Sequence, residues 1–131
     1  MDLNELVREV RRRYKVYAII LFGSRARGDW LPHSDYDILV VADFEGPLLD
    51  RIYELSGFVK GPIEFHPYTL DEVKDLLKRG VPSIVDALEE GLVLYEDKKF
   101  EEVRELFKEM KEKGLRRSDV TIILPRSNEL S

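Results

Sequence analysis

The stretch LFGSRARGDWLPHSDYDILVV, residues 21–41, decides how this chain is read: a strand breaks into polar turn residues, then resumes as a strand carrying Asp35 and Asp37. Its upstream part, VYAIILF at 16–22, is β-branched, aromatic and apolar on both faces, the composition of a central buried strand. Gly23 ends that strand, and Ser24 is suited to cap the short helical turn that SRARG can form. The second strand is predicted over DYDILVVADF, residues 35–44. Residues i and i+2 of a strand share a face, so Asp35 and Asp37 stand side by side with Cα atoms about 7 Å apart. Two carboxylates this close on an otherwise apolar strand repel each other unless a cation neutralises them. A hard divalent ion suits the pair, because Mg²⁺ takes carboxylate oxygens and completes its shell with water and substrate phosphates.

Just upstream, Gly23 and Ser24 open a helical turn whose backbone N–H groups and dipole favour an anion, and glycine lets a phosphate come close. If the two strands are neighbours, this cradle faces the carboxylate pair. Together they make a nucleoside triphosphate site with its metal.

The rest of the chain supplies a frame of alternating helices and strands. Leu3, Leu6, Val7, Val10 and Tyr14 recur at helical spacing and predict a helix over 2–14. Pro47 opens a helix carrying Leu48, Leu49, Ile52 and Leu55, which Gly57 is expected to stop. GPIEFHPYT contains a third strand at 62–68, and Thr69 with Glu72 is a capping-box signature for the helix that follows. Pro82 opens another helix and Gly91 closes it; LVLYE at 92–96 is a fourth strand, followed by a helix with Phe100, Val103, Leu106, Phe107 and Met110 along one stripe. VTIILP near the end is strand-like, an added edge strand or part of a subunit contact, and the remainder of the 118–131 tail is expected to be loose. The order implies one α/β domain over 1–131, a small mixed sheet of about four or five strands flanked by helices.

Composition bounds the function. The 131 residues are 44% hydrophobic and 36% charged, which describes a globular chain, and no apolar run approaches the ~20 residues of a membrane span. MDLNELVREVRRRYK has no apolar centre and does not read as a secretory signal, so a cytoplasmic location is expected. There are no cysteines, so any metal must use oxygen ligands or the two histidines. Glutamine is absent while Glu, Lys and Arg abound, the lean of thermophile proteins. A formal charge of −5 argues against a protein that coats nucleic acid through many cationic contacts. The basic clusters at Arg8–Lys15 and Lys108–Arg117 read as solvated helix faces, or else as docking surfaces for an acidic partner or RNA.

Gly23, Ser24, ten residues and then Asp35, Tyr36, Asp37 resembles the signature of the DNA polymerase β-like nucleotidyltransferase superfamily. The short chain and the wording GSRARGD resemble its minimal nucleotidyltransferases, the MntA-like antitoxins often encoded beside HEPN-domain toxins. The resemblance implies that Gly23 and Ser24 hold the β- and γ-phosphates of ATP or another nucleoside triphosphate, while Asp35 and Asp37 hold two Mg²⁺ ions, with Mn²⁺ the alternative. A third carboxylate is expected on a later strand, and Glu64 matches it by position; the other reading of Glu64 is a solvated edge residue. It would complete the metal nearer the acceptor and help remove the acceptor's proton.

Other residues carry weaker expectations. Arg25 and Arg27 flank the cradle, Arg25 being the better candidate for a phosphate contact and a salt bridge the alternative for either. Ser34 is a hydroxyl near the metals or a turn cap. Trp30 is placed in a loop, packed on the core or stacked on a base. His33 and His66 have no ligand-like spacing to each other and read as structural or solvated, with His66, on the face of Glu64, the stronger exception.

The activity implied by the resemblance is transfer of AMP from ATP to a hydroxyl, foremost on a HEPN-domain partner in a toxin–antitoxin pair. Small-molecule or RNA acceptors are the lesser alternatives, and a non-catalytic module that neutralises its partner by contact is the competing class. A small fold with a strand-like C-terminus is also compatible with self-association.

Overall fold

The computed structural model describes residues 1–29, 31–117 and 122–125. Val16–Phe22 forms strand β1, buried along nearly its whole length, as its two apolar faces require. It lies between β2 (Tyr36–Ala42), antiparallel, and β4 (Leu92–Glu96), also antiparallel, while β3 (Ile63–Tyr68) adds parallel to β2. The sheet order is β3-β2-β1-β4. The predicted strand over 35–44 is shorter than expected at both ends, and Asp35 precedes it instead of belonging to it.

Alternation along the strands divides the interior in two. Ile19, Leu21, Ile38, Val40 and Phe65 face helices α1 (Leu3–Arg13) and α3 (Leu48–Phe58), meeting Leu6, Val10 and Leu55. Ile20, Phe22, Leu39 and Val41 point the other way. They meet α4 (Leu70–Lys78), α5 (Pro82–Glu90) and α6 (Glu101–Glu112) through Val73, Leu77, Ile84, Val103 and Met110. A short helix, α2 (Ser24–Arg27), sits at the end of β1.

Local signals explain most boundaries. Asp2 caps α1 by accepting from the amides of Asn4 and Glu5. The Thr69–Glu72 capping box forms as expected: Thr69 Oγ1 accepts from the Glu72 amide and Glu72 Oε1 from the Thr69 amide. Gly57 does not stop α3, which continues to Phe58. A helical glycine costs only about 1 kcal/mol relative to alanine, and packing offsets it: Phe58 meets the Tyr14 ring and Arg13 stacks on it, while Val59 is buried.

Arg51 ties three segments together. Its buried guanidinium donates to the carbonyls of Gly46 and Pro67 and pairs through both Nη atoms with Glu72 at 2.6 and 3.2 Å. The Arg51 bonds hold the Glu72 carboxyl below the usual carboxylate range, helped by the Thr69 amide and against its partial burial. The clamp joins the start of α3, the end of β3 and the start of α4, and so braces the edge of the sheet on which Glu64 stands.

The C-terminal strand-like segment does not extend the main sheet. Ile122–Ile123 pairs antiparallel with Arg116–Arg117 as a separate two-stranded ribbon, and Ile122 packs on the core beneath α4–α6. Leu124 lies over Gly80, where an added Cβ would come within 2.7 Å of its Cδ2. Residues 118–121 and 126–131 of the tail, and Trp30, lie outside the described residues.

Candidate active site

Pairing of β2 with β3 sets Asp37 directly opposite Glu64, and pairing of β1 with β2 sets Phe22 opposite Asp37. Asp37 shares its side of the sheet with Leu39 and Val41, but it stands at the strand's entrance and its side chain is 27% exposed. Glu64 and His66, two residues apart on β3, project to the same side. One donor atom from each of Asp37, Glu64 and His66 lies within 4.8 Å of the other two. His66 Nε2 is 3.4 Å from Asp37 Oδ1, and the imidazole meets the Phe22 ring edge-on at 4.9 Å between centroids.

Gly23 completes the floor. Its backbone, φ +76° and ψ −157°, is in a region almost reserved for glycine, and a Cβ built there would fall 2.5 Å from Asp37 Oδ2. The carboxylate therefore occupies the space that a side chain at 23 would take. Gly23, not Ser24, is the N-cap residue of α2, and Ser24 is the first helical residue. The Ser24 and Arg25 amides follow directly on Gly23, whose backbone packs against the Asp37 carboxylate.

The remaining residues singled out from the sequence divide clearly. Arg25 is braced: Nε and Nη2 both donate to the Ser34 carbonyl at 3.1 and 2.9 Å, and the guanidinium lies 4.4 Å over the Tyr36 ring. It ties the approach to Asp35 onto α2. Arg27 pairs with Asp29 and, at 3.9 Å, with Glu90. Ser34 caps its turn, its Oγ accepting from the Leu31 amide. Asp35 is exposed and outside the Asp37–Glu64–His66 set, and His33 is exposed in the turn before it. A cleft of about 490 Å³ lined by Leu6, Glu9, Arg25, Tyr36 and Pro62 opens on the opposite side of the sheet, since Tyr36 alternates with Asp37. It is not the carboxylate site.

The donor set fits a divalent ion. With metal–oxygen bonds of about 2.1 Å, neighbouring ligands of an octahedron are about 3.0 Å apart and opposite ones about 4.2 Å, so three donors within 4.8 Å match one coordination sphere. His66 is the member of this set least visible in the sequence. Its i+2 spacing from Glu64 is the signal, and the register that carries both residues to Asp37 is not visible locally.

A strand–glycine–helix turn packed on an acidic strand, with a second acid in register beside it, defines a nucleotide-handling α/β fold. The nucleotidyltransferase domain family model matches residues 3–122, and the chain belongs to that family. It is similar to a protein of Methanocaldococcus jannaschii named "Putative protein adenylyltransferase MJ0604", 33% identical over 97 residues that cover 71% of this chain and 94% of the relative. Among solved structures, a "putative nucleotidyltransferase" of Sulfolobus solfataricus aligns with a TM-score of 0.54 at 28% identity, covering 74% of this chain and 79% of the other. A toxin–antitoxin structure with AMP-PNP shares the fold, with a TM-score of 0.52 at 18% identity over 80% of this chain and 81% of that one.

Proposed function

We propose that this nucleotidyltransferase moves AMP from ATP to a hydroxyl on a protein, foremost a HEPN-domain partner of a toxin–antitoxin pair. The observation that carries the reading is the packing of Gly23 against the Asp37 carboxylate, with Glu64 in register alongside. That packing supports reading the Gly23–Ser24 turn as an anion cradle beside acidic ligands. The name of the M. jannaschii relative supports a protein acceptor, and the toxin–antitoxin neighbour with AMP-PNP supports both the adenine nucleotide and the kind of partner.

In this reading Asp37 and Glu64, with Asp35 just before β2, would hold two divalent ions, Mg²⁺ in the simplest case, and these would supply charge neutralisation at the triphosphate and at the attacking oxygen. The first-turn amides at Gly23 and Ser24 take the β- and γ-phosphates, and Arg25, braced on Ser34, forms the cationic flank. The acceptor oxygen forms a bond to the α-phosphorus as the bond to the β-phosphate oxygen breaks, and pyrophosphate leaves. Glu64 accepts the hydroxyl proton. Catalysis on this plan is positioning and electrostatics, with no covalent enzyme intermediate.

The test is to incubate the pure protein with Mg²⁺ and α-labelled ATP, with and without the product of the neighbouring gene, and to follow label into protein, RNA and small molecules. Labelled partner protein is the expected outcome. No transfer to any acceptor, or transfer that survives Asp35→Asn combined with Asp37→Asn, overturns the enzymatic reading. Partner neutralisation retained by that double variant would instead identify a module acting by contact.

A further inference from the structure

The Asp37–Glu64 seat has a nitrogen neighbour that the all-carboxylate plan does not use. His66 lies two residues beyond Glu64 on the same side of β3, and its Nε2 is directed at Asp37 Oδ1 instead of at solvent. The side chain is 18% exposed and its ring is set edge-on against Phe22. It is therefore held in place by packing and does not sweep through the site.

The spacing suits two uses of this ring, a long hydrogen bond to Asp37 or a shared place on one ion. The ordinary N–H···O distance is about 2.9–3.0 Å. The separation here is 3.4 Å, long for such a bond and within the range of two ligands on one ion, and Glu64 offers an oxygen inside the same 4.8 Å set. Donor chemistry then bears on the ion. Mg²⁺ demands oxygen and parts with its water reluctantly, whereas imidazole raises affinity for first-row transition ions.

We infer that His66 Nε2 is a ligand of the seat between Asp37 and Glu64, which makes it a mixed oxygen–nitrogen site that selects a first-row transition ion such as Mn²⁺ over Mg²⁺. This rests on the proposal that Asp37 and Glu64 hold a divalent cation, and it adds which ion they prefer and which residue sets the preference. Glutamine at 66 offers an amide oxygen in place of the ring nitrogen. His66→Gln therefore converts the seat to all-oxygen chemistry without emptying it.

The experiment uses the full chain, stripped of metal, loaded with Mn²⁺ alone and studied by pulsed electron paramagnetic resonance. The expected result is ¹⁴N modulation from one imidazole, converted to the ¹⁵N pattern by [¹⁵N]histidine labelling, which needs no substitution. The chain has two histidines, and His33→Asn leaves the signal intact. Calorimetry should show His66→Gln lowering Mn²⁺ affinity roughly tenfold or more while Mg²⁺ affinity, by competition, changes less than about twofold; the variant's melting temperature reports its folding. Mn²⁺ binding that Asp37→Asn abolishes but that shows no nitrogen coupling overturns the assignment of His66 and leaves the metal seat standing. Equal losses of Mn²⁺ and Mg²⁺ affinity in His66→Gln overturn the selectivity. Mn²⁺ binding unaffected by Asp37→Asn overturns the seat and this inference together.

Discussion

Gly23→Ala separates a glycine kept for its backbone from one kept because a ligand sits where its side chain would be. At Gly23 both conditions hold: φ +76° with ψ −157° costs a non-glycine residue about 1–3 kcal/mol, and the new Cβ would stand 2.5 Å from Asp37 Oδ2. Asp37 cannot retreat as a whole, because its backbone is paired to Phe22 on one side and Glu64 on the other. The carboxylate must rotate away or α2 must lift. Gly28 is the internal control. It closes the same short helix at φ +85° and ψ 7°, with nothing within 4 Å of an added Cβ, so Gly28→Ala costs only the left-handed backbone term of about 1–2 kcal/mol. Gly23→Ala should cost about 3 kcal/mol and should also lower Mn²⁺ affinity by at least about tenfold, since disturbing the groups that set a metal ligand costs about 10–100-fold in affinity. Urea denaturation measures the first quantity and calorimetry the second. If Gly23→Ala binds Mn²⁺ within about twofold of wild type and is no less stable than Gly28→Ala, the coupling of the glycine turn to Asp37 is refuted.

Three further outcomes follow from the clamp, the carboxylates and the loop. Arg51→Met leaves the Gly46 and Pro67 carbonyls without their donor and Glu72 without its partner; a loss of about 3 kcal/mol, at the low end for a broken pair because Glu72 is partly exposed, should appear as a fall of roughly 10 °C in melting temperature, and a loss below about 1 kcal/mol would refute the clamp. Glu72 is held below the usual carboxylate range, mainly by Arg51, and Glu102 at about 2 by Lys74 and Lys99. Depressed folded-state values contribute stability above the unfolded pKa and lose it as pH falls through the folded ones, so melting temperature should drop between about pH 5 and pH 2, and Glu72→Gln and Glu102→Gln should each flatten that drop. Arg25→Lys keeps the charge but not the two bonds to Ser34 or the stacking on Tyr36; it should weaken AMP-PNP binding nearly as much as Arg25→Ala in calorimetry, and near-wild-type binding would show that charge alone matters.

Most of the frame was legible because its signals are local. Helix periodicity, the Thr69–Glu72 box and the apolar run of β1 each specify an element from within a dozen residues. The departures come from tertiary packing. Gly57 reads as a helix end until Phe58 is seen packed on Tyr14 and Val59 buried beyond it, and the final strand reads as a sheet edge or a subunit contact until Ile122 and Leu124 are seen against the α4–α6 side. In the candidate site, alternation correctly placed Glu64 and His66 on one side of β3. Asp35 lies beyond the reach of that argument, because i, i+2 alternation holds only within a strand and β2 begins at Tyr36.

What periodicity cannot supply is the closure of the site on itself. Phe22 and Gly23 are consecutive at the end of β1; the first seats the His66 ring and the second makes room for the Asp37 carboxylate, and those two side chains then face each other at 3.4 Å. Strand register brings these residues into range, and the three contacts differ in kind: an aromatic edge, a missing Cβ and a polar pair. No one of them leaves a recognisable pattern in the sequence beyond the glycine itself. The glycine of the motif is therefore constrained twice, by the phosphate cradle expected on one side and by the acidic ligand packed on the other. Replacing it would disturb both halves of the site, even where the turn could still be built.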